Sequence, residues 1–312
     1  MLRRRVRSGA EDGLTTRWSG KTGGVAAILA ASVIWAAEPI LAKLSYRTSD
    51  PLETSTVRAL LVALVALAYA LGSGRGNLKV HRRDLGLLAF LALAGTLCGD
   101  LLYLYCLAHA PVVNALILGH FQALFIVAIG FFALKGDRMT RFDAAGIALM
   151  IVAAVLVSSK TASNLAALRF GSVWDALILC SALSWAAAAV AMRRWGTHLN
   201  VGTISFYRFA FSFVVMAAMV GVRGGPIVLN PYQVWLGLAI GVGALLYYAG
   251  LKRIKAAQVS ALELSAPLFG AVLAFVVLGE GVTGMQVGGG VLLGFGVYFL
   301  SRKEEIPVPD HP

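Results

Sequence analysis

The feature that most constrains this chain is a succession of ten apolar runs. Each holds about 18 to 25 residues, and because a helix rises about 1.5 Å per residue, each can cross a hydrocarbon core of about 30 Å. The runs, numbered one to ten in chain order, lie at 24–46, 54–74, 84–108, 111–134, 141–159, 173–194, 201–223, 232–252, 257–279 and 283–301. They predict an all-α integral membrane protein with ten transmembrane helices.

The composition excludes a soluble protein of this length. Of the 312 residues, 59% are hydrophobic and only 13% are charged, and the mean hydropathy is +0.79. Soluble domains have about 45–50% apolar and about 25% charged residues. The connections between the runs are too short for a soluble domain, so the lipid bilayer is the first predicted partner.

The net charge of +12 could indicate either a nucleic-acid surface or the orientation of a membrane protein, and the placement of the basic residues distinguishes the two. Most of the 27 lysines and arginines precede the first run or follow an even-numbered run, and therefore fall on one side of the membrane. By the positive-inside rule that side is cytoplasmic. We predict a multi-pass protein of the cell membrane, the inner membrane of a bacterium, with both termini in the cytoplasm and no nucleic-acid partner.

The two halves of the chain resemble each other. WAAEPILAK (35–43) aligns with WAAAAVAMR (185–193), and STVR (55–58) aligns with SFYR (205–208), both at a distance of 150 residues. Two separate matches at one distance indicate an internal repeat.

A third match continues the repeat at a shorter distance. DRMT (137–140) aligns with EGVT (280–283), and Gly146 aligns with Gly289, now 143 residues apart. We expect the change of register to fall largely in the third run, which is longer than the eighth.

Five runs in each half is an odd number, so the two copies must enter the membrane from opposite sides. The predicted organisation is a basic cytoplasmic tail (1–23), two inverted five-helix repeats (24–159 and 173–301) and a short cytoplasmic tail (302–312). Inverted repeats are typical of secondary transporters, which bind substrate near the midplane between the halves.

Particular residues resemble a known family. The second half has the aromatic pair Tyr247–Tyr248, an apolar segment around Pro267, then Gly279–Glu280, Thr283 and a glycine-rich last run; the first half has Trp35, Lys43, Pro51, Arg58, Asp137, Thr140 and Gly146. This pattern resembles the EamA domain of the drug/metabolite transporter superfamily, over roughly residues 24 to 301. The resemblance implies a ten-helix carrier of small metabolites, commonly an exporter of amino acids or related compounds. The two halves are not fully equivalent: the first has Leu124 where the second has Pro267, and Asp137 where the second has Glu280.

Charged and polar groups inside the runs are the candidate functional residues. A charge at mid-bilayer costs about 2.5–3.5 kcal/mol on insertion scales, so such groups usually face a partner or a wet cavity. The residues concerned are Glu38, Arg58, Asp100, His120, Arg208 and Glu263.

Glu38 is the first candidate. It lies about 60° around the helix from Trp35, so the two share a face. Pro39 has no amide hydrogen for the carbonyl of Trp35 and disfavours helical geometry at Glu38, which predicts a kink. We expect a hinge that lines the substrate pathway; the alternative is a packed kink whose glutamate is neutral or paired with a neighbouring helix.

The other candidates also leave alternatives open. Asp100 shares a face with Thr96 and Tyr103, and forms either a cavity wall or a buried hydrogen bond. His120 aligns with Glu263, and the two could couple transport to protons because histidine titrates near neutral pH; a simple hydrogen-bonding role is the alternative.

The arginines and aromatic residues complete the predicted pathway. Arg58 and Arg208, near the starts of the second and seventh runs, are predicted at opposite membrane faces, where they contact substrate, pair with loop acids or extend to headgroups. The aromatic residues are expected to line an amphipathic pocket or to pack: Tyr103, Trp185, Tyr207, Tyr247 and Tyr248.

The favoured function is secondary transport, most simply export of amino acids or related compounds by alternating access. Gly20–Lys21–Thr22 lacks the leading glycine of a phosphate loop, and no HExxH motif or paired histidine ligands occur, so we predict no ATPase, enzyme activity, metal or cofactor. A membrane sensor or regulator with the same fold, and less plausibly an intramembrane enzyme, are the alternatives. A small-molecule substrate is the expected partner; a homodimer is compatible, but a monomer suffices.

Overall fold

A computed structural model describes residues 11–72, 78–133, 141–167, 171–196, 198–224, 228–251, 262–263 and 265–301. Every regular element in these ranges is helical. The first half comprises α1 (Glu11–Ser45), α2 (Pro51–Gly72), α3 (Arg82–Phe90), a π-helical segment (Leu91–Leu101), α4 (Leu102–Leu107), α5 (Val112–Gly119), α6 (Gln122–Ala133) and α7 (Arg141–Ser159). The second comprises a short α8 (Ala162–Ala166), α9 (Val173–Trp195), α10 (Val201–Arg223), α11 (Pro231–Leu251), α12 (Ser265–Leu273), a π-helical turn (Ala274–Leu278) and α13 (Gly284–Ser301).

Helical apolar segments lie at all ten predicted places. Five of those described are long and apolar enough to cross a membrane: Thr22–Ser45, Pro51–Gly72, Arg82–Leu107, Val173–Met192 and Val201–Arg223. Shorter apolar helices of 10–17 residues lie in the other five runs: Val112–Ile126, Ala144–Val157, Pro231–Tyr247, Ser265–Leu278 and Gly284–Phe299. The all-α membrane class is therefore confirmed, while the number of ten crossings stays a prediction.

Helix starts follow local sequence signals. Asp50 Oδ1 accepts hydrogen bonds from the amides of Leu52 and Glu53 and so caps α2. Ser172 and Asp175 form a reciprocal capping box at the start of α9. The start of α1 differs from expectation, because the helix begins at Glu11, within the predicted tail, although its apolar part begins only at Thr22.

The helices pack in pairs that the repeat relates to each other. α1 packs against α11 and α12, and its equivalent α9 packs against the π-helical segment and α6. Two pairs, α2 with α10 and α7 with α13, join equivalent helices of the two halves. Exchanging the halves therefore converts the packing scheme into itself, which agrees with two copies of one five-helix unit.

Glycines allow some of these helices to approach closely. A Cβ atom on Gly237 would lie 2.6 Å from Cβ of Leu61, and one on Gly241 would lie 2.8 Å from Cβ of Val65. The spacing of four residues places both glycines on one face of α11, against α2. This GxxxG motif thus serves packing within one chain.

Candidate functional site

The site begins with an ion pair between the first two helices. Glu38 on α1 and Arg58 on α2 lie 2.8 Å apart, measured from Oε1 to Nη2. The side chain of Arg58 is 6% exposed and that of Glu38 is 15% exposed. Glu38 is thus paired with a residue of a neighbouring helix, as in the alternative of a packed kink. Its side chain nevertheless remains partly exposed.

Asp100, on the π-helical segment, extends this pair into a cluster of four charges. Its Oδ2 lies 3.4 Å from Nη1 of Arg58 and 3.2 Å from Nη2 of Arg208 on α10. Its Oδ1 accepts a hydrogen bond of 2.7 Å from the indole N–H of Trp185. We define the four-charge cluster as Glu38, Arg58, Asp100 and Arg208. Two carboxylates face two guanidinium groups, so the formal charges balance.

The local sequence makes room for this cluster. A Cβ atom on Gly95 would lie 2.8 Å from Cζ of Arg208, and one on Gly99 would collide with the indole of Trp185. The segment between these glycines is π-helical. This geometry is rare in proteins, and where it does occur it is often at a functional site. Small residues at 95 and 99 therefore let two large side chains reach Asp100.

The two arginines are equivalent in the repeat but were predicted at opposite faces, and the structure instead brings both to one carboxylate. Arg58 follows the start of α2, and Arg208 the start of α10, by seven residues. Seven residues span about 10 Å of helix. Because α2 and α10 pack together, two long side chains starting about a third of the way along can meet between the helices. Snorkelling to headgroups is thereby excluded for Arg58, which is buried.

Phe209 lies beside both guanidinium groups. Its ring centroid is 6.0 Å from Cζ of Arg58 and 5.0 Å from Cζ of Arg208. The face of an aromatic ring attracts cations, so Phe209 lowers the cost of placing two of them in one site. Sequence analysis missed this residue, although it directly follows Arg208.

The predicted aromatic residues form two equivalent pairs. Trp35 packs on Tyr247 with ring centroids 4.9 Å apart and an interplanar angle of 51°. Trp185 packs on Tyr103 at 5.2 Å and 50°. Tyr103 and Tyr247 are 144 residues apart, so most of the change from a distance of 150 to one of 143 falls between Arg58 and Tyr103.

Applying the same distance of 144 residues shows where the halves differ. Asp100 corresponds to Ala244 and Thr96 to Ile240, while Glu38 corresponds to Ala188 at the earlier distance of 150. Both acids of the cluster therefore belong to the first half, whereas each half supplies one arginine.

His120 and Glu263 also meet. His120 follows α5 at a turn, where its amide bonds to the carbonyl of Ile117, and its Nδ1 lies 2.6 Å from the carbonyl oxygen of Leu116. The imidazole thus takes the carbonyl that its own amide would bond in a continuous α-helix. His120 also hydrogen-bonds to the backbone of Glu263. These contacts fit the hydrogen-bonding alternative, and proton coupling stays a prediction.

The remaining predicted residues are distributed around the cluster. Tyr207 donates its hydroxyl to the carbonyl of Leu78, away from the four charges. Pro39 is buried inside α1, which continues through it as one helix. The side chain of Tyr248 lies outside the described part of the chain.

Polar contacts between the halves also occur at helix ends. Lys43 at the end of α1 pairs with Glu280 at 2.6 Å, and Glu280 Oε2 accepts a 2.8 Å hydrogen bond from the amide of Val112. Asn114 donates to Asp175, and its side-chain oxygen accepts from Gln286. Sequence analysis noted Lys43 and Glu280 only as parts of the family pattern, because their separation of more than 200 positions hides the pairing.

The described residues include no group of three or more His, Cys, Asp or Glu side chains able to hold a metal ion. A cavity of about 410 Å³ lies apart from the cluster, between α3 and α9, lined by Arg83, Asp84, Leu87, Phe90, Ala191 and Trp195.

Comparison with known proteins confirms the resemblance. The model of the EamA-like transporter family matches residues 22–159 and 172–302. The chain is 27% identical over 284 residues to an uncharacterized transporter of Archaeoglobus fulgidus, covering 87% of this chain and 95% of that one.

Two further relatives have names that describe export. The chain is 26% identical over 286 residues to a probable amino-acid metabolite efflux pump of Salmonella typhimurium, covering 85% of this chain and 90% of that one. It is 28% identical over 214 residues to a pseudopaline exporter of Pseudomonas aeruginosa, covering 65% and 70%. A crystal structure matches the fold with a TM-score of 0.62 at 17% identity, covering 89% of this chain and 96% of that one.

Proposed function

Because the chain belongs to the EamA-like transporter family, we propose that it is a secondary transporter that exports amino acids or related zwitterionic metabolites by alternating access. The names of the Salmonella and Pseudomonas relatives support export. The family and these names indicate a transporter rather than an enzyme.

The four-charge cluster is the observation that carries this proposal. It joins α1, α2, the π-helical segment and α10, and thus both halves. Carriers built from inverted repeats bind substrate between their halves, which supports a role of this cluster in binding. A zwitterion brings one positive and one negative group. It can exchange partners with a balanced set of charges without leaving a net charge in the membrane.

Each predicted residue receives a role in this scheme. The ammonium group of the substrate meets Glu38, and its carboxylate meets a guanidinium group, with Asp100 holding both arginines in place. Trp35, Trp185 and Tyr103 form the aromatic walls. Pro39 is the hinge of α1, Tyr207 and Tyr248 lie along the pathway, and His120 and Glu263 couple or gate it.

Alternating access requires that contacts between the halves break at one end while they form at the other. The Lys43–Glu280 pair suits this role, because it joins the two halves at the end of α1 and its side chains are 20% and 22% exposed, so water can reach the charges when the pair separates. With both termini cytoplasmic, this end faces outward. A monomer holds all the residues that the scheme needs.

Flux from proteoliposomes tests the proposal. The purified protein is reconstituted with radiolabelled L-phenylalanine, L-leucine or L-cysteine, with and without a pH gradient. Glu38→Gln should lower efflux at least about tenfold, which corresponds to about 1.4 kcal/mol of transition-state stabilisation.

The matched control is Glu53→Gln, the same change in the first turn of α2 and outside the cluster. It should retain wild-type flux. Full flux in Glu38→Gln would remove that residue from the site, and no flux of any amino acid in the wild type would contradict the proposed substrate class.

A further inference from the structure

We propose that Arg58 and Trp35 form a carboxylate subsite, in which the carboxylate of the solute replaces the oxygen atoms that Thr96 and Asp100 supply to the equivalent residues Arg208 and Trp185. The inference rests on the proposed function and names the chemical group that the transporter selects. It follows from comparing equivalent donors in the two halves.

The first donor is the Nε–H of the cluster arginines. In the second half, Nε of Arg208 donates to Oγ1 of Thr96 at 2.8 Å. In the first half, Nε of Arg58 is buried and has no hydrogen-bond partner among the described residues. The residue equivalent to Thr96 is Ile240, whose side chain has no acceptor.

The second donor is the indole N–H of the equivalent tryptophans. Trp185 donates to Oδ1 of Asp100, while Trp35 makes no hydrogen bond to any described residue. The rings have the same arrangement on Tyr103 and Tyr247, so a different packing of the ring does not explain the difference. The residue equivalent to Asp100 is Ala244, which again has no acceptor.

The two donors without a partner in the described part of the chain flank the same carboxylate. Arg58 is 2.8 Å from Glu38, and Trp35 precedes Glu38 by three residues on the same face of α1. Glu38 is partly exposed, so a solute that reaches it also reaches this neighbourhood.

A carboxylate is the ligand that these donors suit. Buried N–H groups are nearly always hydrogen-bonded, so an acceptor is expected at Arg58 Nε. A planar anion with two oxygens can bond a guanidinium group and an indole N–H together, as Asp100 does for Arg208 and Trp185. One carboxylate also keeps the charge balanced when the ammonium group of the same solute meets Glu38.

Binding can be measured separately from flux, as thermal stabilisation of the detergent-purified protein. The probes are L-phenylalanine, L-leucine and L-cysteine, each compared with its carboxamide, which keeps the side chain and ammonium group but lacks the carboxylate. The wild type should bind the acids at least about tenfold more tightly than the amides. Trp35→Phe keeps the ring and should weaken binding of the acids about tenfold, with little change for the amides.

A second variant covers the case in which Trp35→Phe does not fold. Ala244→Asp supplies the equivalent of Asp100, so it should compete with the solute and abolish the preference for acids; Ala244→Ser is the matched uncharged control and should keep it. The subsite is overturned if the wild type binds acids and amides equally, if no acid binds, or if Trp35→Phe weakens both classes alike. A bound water at Arg58 would give that last result.

The two proposals fail separately. Preferential binding of the acids without flux contradicts the proposed export and leaves the subsite intact. Flux of acids and amides at equal rates leaves export intact and contradicts the subsite.

Discussion

The two tryptophan sites of the repeat have the same packing and different electrostatics. Trp35 on Tyr247 and Trp185 on Tyr103 differ by only 0.3 Å in centroid distance, from 4.9 to 5.2 Å, and by 1° in angle, from 51° to 50°. Among the described residues, only Trp185 of the two donates a hydrogen bond to a carboxylate, since Ala244 stands where the first half has Asp100. The repeat thus preserves shape in both halves and places acidic charge in one.

Charge balance explains why one carboxylate serves both arginines. Asp100 pairs with Arg58 and Arg208, and Glu38 supplies the second negative charge. A further aspartate at 244 would leave three carboxylates against two guanidinium groups. An uncompensated charge inside the membrane is costly, so position 244 is expected to lack an acidic side chain and to leave the third carboxylate to the solute.

The largest expected effect on stability comes from removing the charge of Asp100, which both arginines share. Asp100→Asn keeps the shape but leaves two guanidinium groups with one carboxylate. Breaking a buried ion pair costs about 3–5 kcal/mol, so the free energy of unfolding should fall by about that much in SDS titration.

Asp50→Asn is the control for that change. Asp50 pairs with Arg223, whose side chain is 61% exposed, and such pairs are worth about 0–1 kcal/mol. Asparagine also caps helices well, so α2 keeps its cap. If Asp100→Asn and Asp50→Asn lowered the free energy of unfolding equally, Asp100 would contribute no more to stability than an exposed ion pair.

The next effect separates the two tryptophans directly. Trp185→Phe leaves Oδ1 of Asp100 without its indole donor, and a hydrogen bond to a charged group is worth about 1.5–3 kcal/mol. Trp35→Phe keeps its ring on Tyr247 and removes an N–H without a described acceptor, so its cost in unfolding free energy should be smaller. A larger loss of unfolding free energy in Trp35→Phe than in Trp185→Phe would contradict the proposed difference between the two tryptophan sites.

The smallest effect concerns the glycines beneath the two indoles. Gly99→Ala would place a methyl group in collision with Trp185, and overpacking of this kind costs about 1–3 kcal/mol. At Gly243 the added carbon would lie 3.0 Å from Cγ2 of Ile34 and 3.5 Å from Nε1 of Trp35, so Gly243→Ala should cost less. Melting temperatures of the purified variants measure the difference, and equal shifts would contradict the closer fit at Gly99.

Sequence analysis predicted much of the fold and part of the site. Hydropathy located the helices, because a bilayer demands long apolar segments whatever the tertiary packing. The polar residues inside those segments were found for the same reason, and Glu38, Asp100, Arg58 and Arg208 proved to be in contact.

Other features could not be predicted from local pattern. The break after α5, where His120 bonds to the carbonyl of Leu116, carries no proline to mark it. The π-helical geometry around Gly95 and Gly99 depends on large side chains from α9 and α10. Lys43 and Glu280 meet only because α1 ends beside the segment that joins α12 to α13.

The sequence by itself determined a membrane-embedded repeat, and with it which residues of one half correspond to those of the other. It placed Arg58 and Arg208 at opposite faces, because distance along a helix was its only measure of depth. Only the tertiary structure decided that the arginines share Asp100, that the tryptophans pack alike, and that Nε of Arg58 is left without a described partner. The physical reason is that partners in a charge cluster are chosen by side-chain reach between packed helices, which neither hydropathy nor spacing records.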